Sequence, residues 1–239
     1  GGVHLVRFKT PGPAVRENAA PTDLVLKSVD IAVVDIHKRY EELSAAGYKF
    51  RSPVGSMQAG DIKFLEAHTS AHDGVNVVLL EILGKHELTS AKGYGVVPQV
   101  VLTTSDNVRE AGFFQSLMGL SQVSHNRFTG PEVEKTIGLP SGAALDIHIL
   151  GDLKNDYGKL EIVQYEGVKS SNLYPRSKPP ARGMLSVTYI VDDLSALLLR
   201  GAALGIVDHG QTTCILGQGR MASVTSPAGL RVDLFQVTR

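Results

Sequence analysis

Three segments of the sequence repeat one layout, and a repeat of this size limits the possible folds more than any single residue does. They read Ser28-Val29-Asp30-Ile31-Ala32-Val33-Val34-Asp35, Gln99-Val100-Val101-Leu102-Thr103-Thr104-Ser105-Asp106 and Ser186-Val187-Thr188-Tyr189-Ile190-Val191-Asp192-Asp193. Each is rich in β-branched residues, as a buried strand requires. Each ends in an aspartate, and apolar residues then recur at helical spacing, as in Ala111, Phe114, Leu117 and Met118. A carboxylate at that point can accept bonds from the first free helix N–H groups. Asp35, Asp106 and Asp193 are therefore predicted N-caps rather than catalytic acids. Each helix is predicted to stop at a glycine, Gly47, Gly119 or Gly205, at Asp-to-Gly separations of 12, 13 and 12 residues.

After each stop comes strand-like sequence, closed by a strand that a glycine leads. These closing strands begin at Gly74, Gly158 and Gly229, and a fourth copy, Gly2-Val3-His4-Leu5-Val6-Arg7-Phe8, opens the chain. The unit is strand, helix, then about three strands. The expected organisation is a first lobe over 1–97, with part of a unit at 1–20, a second unit at 24–84 and a linker at 85–97. A second lobe covers 98–239, with a third unit at 98–169, a linker at 170–182 and a fourth unit at 183–239. Roughly 40 residues of unit one are expected to be missing, judged from the size of the last unit. Truncation there is expected to leave an exposed sheet edge beside unit two.

Composition narrows the partners. Twenty-four Lys and Arg balance 24 Asp and Glu, so there is no basic footprint for nucleic acid. The apolar stretches are too short or too charged to span a membrane, and no signal peptide is visible. A lone Cys214 fits a reducing, cytoplasmic setting.

The strand-Asp-helix-Gly openings and the closing Ser226-Pro227-Ala228-Gly229-Leu230-Arg231-Val232-Asp233-Leu234 resemble the vicinal oxygen chelate superfamily, which includes glyoxalase I, bleomycin-resistance proteins and extradiol dioxygenases. The resemblance implies an α+β fold of tandem βαβββ modules, paired into curved-sheet, half-barrel lobes around small-molecule cavities. Modules one and two are expected to form one lobe, and modules three and four another. The family takes metal ligands from the first residue of an opening strand and from a carboxylate on a closing strand. Mapped onto this chain, that implies a divalent metal at Gln99, Glu161 and Asp233. The opening positions are Ser28, Gln99 and Ser186; the closing ones are Val6, Val78 or Glu81, Glu161 and Asp233. The family's histidine ligands are absent at all of them. The oxygen-only set suits Mg²⁺ or Mn²⁺ better than Zn²⁺. A homodimer is also compatible with the family.

Other residues offer chemistry. Alternation in Ala144–Leu150 puts Asp146 and His148 on one face, where the carboxylate could hold a histidine tautomer. His148 and His209 are the candidate bases. His125, Asp146, Ser186 and Arg220 are candidate substrate contacts, Arg220 through a fork to a carboxylate. His68 and His72 are expected in a polar loop, and His4, His37 and His86 at the surface or in a linker. Two functions follow: an enzyme of lyase, isomerase or oxygenase type acting on a small oxygenated or aromatic molecule in the cavity of modules three and four, or a metal-free binding protein of the bleomycin-resistance type.

Overall fold

The computed structural model describes residues 2–85, 90–155 and 157–238. His86 lies outside them. The unit of strand, helix and three strands recurs three times. The first is β1 (Leu26–Ala32), α1 (Ile36–Ala45), β2 (Gly55–Ala59), β3 (Ile62–Ser70) and β4 (Asn76–Ile82). The next is β5 (Gln99–Thr104), α2 (Asn107–Met118), β6 (Ser121–Thr129), an additional short helix α3 (Pro131–Ile137), β7 (Ala144–Gly151) and β8 (Lys159–Glu166). The last is β9 (Ser186–Ile190), α4 (Leu194–Arg200), β10 (Val207–Cys214), β11 (Gly217–Thr225) and β12 (Arg231–Val237). In each unit the opening strand runs parallel to its own closing strand: β1 with β4, β5 with β8, β9 with β12.

The lobes differ from expectation. Modules two and three share one eight-stranded sheet, β2-β3-β4-β1-β5-β8-β7-β6, joined by antiparallel pairing of β1 with β5. Module four forms its own sheet, β10-β11-β12-β9. An opening strand is bonded on one side by its closing strand, so its other edge must find a partner. Here the two opening strands satisfy each other, and the edge of module two is covered. Residues 2–8 form no strand and are mostly exposed, Leu5 to 94%. Alternation alone supplies no ladder partner.

The joined sheet curves. Its outer face carries α2, where Phe114 and Leu117 pack on Leu102, Leu150, Leu160 and Ile162. The same cluster takes in Leu194 and Leu197 of α4 and Ala222, Val224, Val232 and Leu234 of module four, so the two sheets stack through their helices. The inner face is a cup. Val101, Val163, Tyr165, Leu145 and Ile147 line it under Val133 and Ile137 of α3. Gly55 on β2 is required there: a Cβ would meet Thr136 of α3 at 2.3 Å. Phe64 of β3 also reaches Phe128 of β6 edge-on at 6.3 Å, which nearly closes the sheet.

Helix capping departs from expectation in one module. Asp106 and Asp193 accept from the N–H groups of Arg109 and Ala196 at 3.0 and 2.9 Å. Asp35 instead takes a left-handed conformation (φ 58°) and makes no side-chain cap. The Glu81 carboxylate of β4 does that work, accepting from the N–H groups of Asp35 and Ile36 at 3.2 and 2.9 Å. Gln164 of β8 and Gln236 of β12 likewise accept from Asn107 and Leu194 at 3.1 and 3.0 Å. In every module, then, the closing strand caps its own helix. Glu81→Ala is expected to lower stability by about 1–2 kcal/mol, while Asp35→Asn, which tolerates the left-handed backbone, should stay within about 0.5 kcal/mol. Urea unfolding of the two variants distinguishes them.

Candidate active site

The cup face carries a set of buried ionisable groups. A register shift between Leu26 and Ser28 marks a bulge in β1. Simple alternation would put Lys27 and Asp30 on opposite faces; the bulge turns both into the cup. Lys27 is 4% exposed, and its ammonium bonds the Tyr165 hydroxyl while lying 4.7 Å from that ring's centre. Gln99 opens β5, and its amide NH₂ donates to Asp30 Oδ2 at 2.8 Å and to Glu161 Oε2. One side-chain amide on β5 therefore aims two carboxylates, one from each neighbouring strand. Glu66 and His68 of β3 complete the wall, bonded to each other at 3.0 Å. His68 is buried in a strand, not in the polar loop expected; its neighbour Ala67 packs on the α1 side, so His68 faces inward.

This crowding shifts protonation. Burial first, then the Glu66 carboxylate, push Glu161 up to about 7, against the pull of Lys27 and Gln99. Burial, then Arg51 and Arg16, push Lys27 down to about 7, against Glu161 and Glu66. Asp30 is raised well above the usual carboxylate range by burial and by Glu161, and its Oδ1 is buried with no partner. Gln99 and Glu161 are partly exposed, while Asp30, Lys27, Glu66 and His68 are buried. Arg51 closes the rim near α3, donating to the Ile137 carbonyl at 2.5 Å.

The solved structures decide the architecture. Glyoxalase I from Zea mays superposes with a TM-score of 0.56 at 19% identity, over 87% of this chain and 66% of that one. A Bacillus subtilis protein proposed to be a dioxygenase gives 0.51 at 11% identity, over 91% of this chain and 63% of that one. The chain has a glyoxalase-like fold. It spans about two thirds of the length of these relatives. No family model and no curated protein matches the sequence.

The sequence resemblance implied a divalent metal at Gln99, Glu161 and Asp233, and these residues do not come together as a ligand set. Gln99 and Glu161 do meet on the cup face, but Gln99 turns its donor NH₂ toward both carboxylates. Asp233 does not join them: it lies on the separate module-four sheet, paired with Arg231 at 2.8 Å. In module two Val78 stands opposite Asp30, and Glu81 is committed to capping α1. Among the described residues, no three His, Cys, Asp or Glu groups in the cup bring ligand atoms within 4.8 Å of one another.

The remaining candidates are also placed away from the cup. His125, Asp146 and His148 come together, but on the outer, helix-bearing face, because Leu145 and Ile147 take the inner one. Burial would raise Asp146, yet bonds from Asn107 and His125 outweigh it and hold the carboxyl below its usual value. His209 is an exposed bulge residue of β10, bonded to Ser223 at 2.8 Å. Arg220 is held by Asp208 and by Ser195 of α4, at 3.0 Å for the latter, which spends its fork inside module four. Ser186 starts β9 opposite Arg231. Sequence reading missed Lys27, Asp30, Glu66 and Tyr165. The available signal was the charged pair Lys27 and Asp30 within one opening strand. No helix among the described residues is long and apolar enough to cross a membrane.

Proposed function

We propose that the chain is an enzyme that moves a proton at a carbon beside a carbonyl group of a small oxygenated molecule, held on the cup face beside the partly exposed Gln99 and Glu161, with Glu161 as the acid–base group. The carrying observation is the pairing of Glu161 with Lys27 on one face, both shifted to about 7 from opposite directions. Groups that titrate near the working pH are the most effective proton carriers, and paired shifts of this kind mark acid–base sites. The Glu161 carboxylate would take the C–H proton while the electron pair moves onto the carbonyl oxygen. The Lys27 ammonium and the Tyr165 hydroxyl would donate to that oxygen as charge develops. Protonated Glu161 then returns a proton to the same carbon as the electron pair moves back from the oxygen, so the net step is proton exchange or inversion at that carbon. Gln99 keeps the carboxylate aimed through its amide bond. The charged wall favours this reading over sequestration, which calls for a mainly apolar pocket.

Solvent exchange provides the test. Small α-hydroxy ketones incubated with the protein in D₂O should gain deuterium beside the carbonyl, followed by proton NMR. Glu161→Gln is expected to slow that exchange about 10²–10⁴-fold. Exchange at the wild-type rate in Glu161→Gln, or none above background with the wild-type protein, would overturn the assignment.

A further inference from the structure

The outer face of the joined sheet holds a second constellation that the proposed chemistry does not use. His125 of β6 and His148 of β7 stand directly opposite each other in the antiparallel ladder, and Asp146 precedes His148 by two residues on the same face. One ligand atom from each lies within 4.8 Å of the others. The imidazole rings stack at 4.0 Å between centres and 14° between planes, and His125 Nε2 meets Asp146 Oδ1 at 2.7 Å.

The surroundings are organised as supports for ligands. His148 Nδ1 faces the Gln122 amide oxygen at 3.0 Å, so that nitrogen carries the hydrogen and Nε2 keeps the lone pair. His148 is 7% exposed, and its Nε2 is buried without a partner. A lone pair left unsatisfied in the interior is costly unless something binds it. The second carboxylate oxygen of Asp146 accepts from Asn107 at the start of α2, at 2.9 Å, which fixes the carboxylate plane. Ligands whose other atoms are held by an amide, a backbone group or a carboxylate are characteristic of metal sites. His125 is the exposed member, so the site is reached from solvent.

We infer that His125, Asp146 and His148 form a binding site for a first-row divalent transition metal, with Zn²⁺ the best match, on the face of the sheet opposite the cup. Two imidazoles and one carboxylate suit Zn²⁺ and discriminate against Mg²⁺ and Ca²⁺, which prefer all-oxygen shells. Three protein ligands leave a fourth position for water. The ion would cross-link β6 to β7 beside the α2 N-terminus.

The test uses the full chain, stripped with a chelator and titrated with ZnCl₂ in a calorimeter. One equivalent should bind with micromolar or tighter affinity, and Co²⁺ in its place should give the visible absorption of a four-coordinate site. His125→Ala, a change at an exposed side chain, should weaken binding at least 10-fold, and Asp146→Asn should do the same. Glu161→Gln, in the cup, should bind as the wild type does. MgCl₂ at the same concentration should not compete. Absence of stoichiometric Zn²⁺ binding overturns the inference, as does unchanged affinity in both His125→Ala and Asp146→Asn. Loss of binding in Glu161→Gln would place the ion in the cup and overturn it equally.

Discussion

Phe114→Ala is expected to destabilise the protein by about 4 kcal/mol, a large share of the 5–15 kcal/mol that holds a typical domain together. Phe114 is fully buried on α2. It meets Phe113 edge-on at 5.1 Å and Tyr189 of β9 at 6.4 Å. Its cluster spans the outer face of the joined sheet and the helix-side face of module four, so it lies in the seam between the two sheets. Truncation there loses the transfer energy of a ring and leaves a cavity bounded by rigid strands on both sides, which can collapse only partly. Leu199→Ala on α4, at a side chain 81% exposed, is the matched control and should change stability by less than about 0.5 kcal/mol. Urea unfolding measures both. A Phe114→Ala loss below about 1 kcal/mol would mean that the seam contributes little and that the sheets are held by other contacts.

The sequence made the module legible because the module is local. Strand, capping aspartate, helix and stop glycine follow one another within about 20 residues, and each carries its own period or conformational demand. Two of the three aspartate caps stand as read. The pairing of modules was not legible, because β1 and β5 offer equivalent free edges to any other opening strand and only the three-dimensional path of the chain decides between them. The site was half legible. Gln99 and Glu161 were found at their strand positions and do meet. Lys27 and Asp30 were hidden, since a bulge that changes the alternation leaves no mark in composition. Asp146 and His148 were read as sharing a face, which holds. Which face that was depended on Leu145 and Ile147 turning toward α3, a helix the repeat did not announce.

Glu161→Gln is expected to stabilise the protein increasingly as the pH rises from 5 to 8. Glu161 titrates at about 7 in the folded chain against an ordinary 4.5. A carboxyl whose folded pKa is raised contributes its full stabilisation below the unfolded value, and loses it as pH climbs through the folded one. Wild-type stability should therefore decline between about pH 4.5 and 7, as the unfolded chain ionises this carboxyl while the folded protein keeps it protonated beside Glu66 and Asp30. Glutamine keeps the hydrogen bond to Gln99 within reach and has no proton to lose. A shift of this size corresponds to on the order of 3 kcal/mol, and since water still reaches Glu161, a gain of about 1–2 kcal/mol at pH 8 is the realistic expectation. Lys27, lowered to about 7 from 10.5, has the opposite slope: its contribution is complete above the unfolded value and is lost as pH falls through the folded one. Lys27→Met should accordingly help most below pH 7. Thermal unfolding of Glu161→Gln between about pH 4.5 and 8, and of Lys27→Met between about pH 7 and 10.5, reads the two slopes separately, and a pH-independent difference within either window would show that its group is not held at the shifted value. Opposed slopes at two adjacent groups, in a fold that would be more stable without either charge, are what a site retained for proton transfer rather than for stability should display.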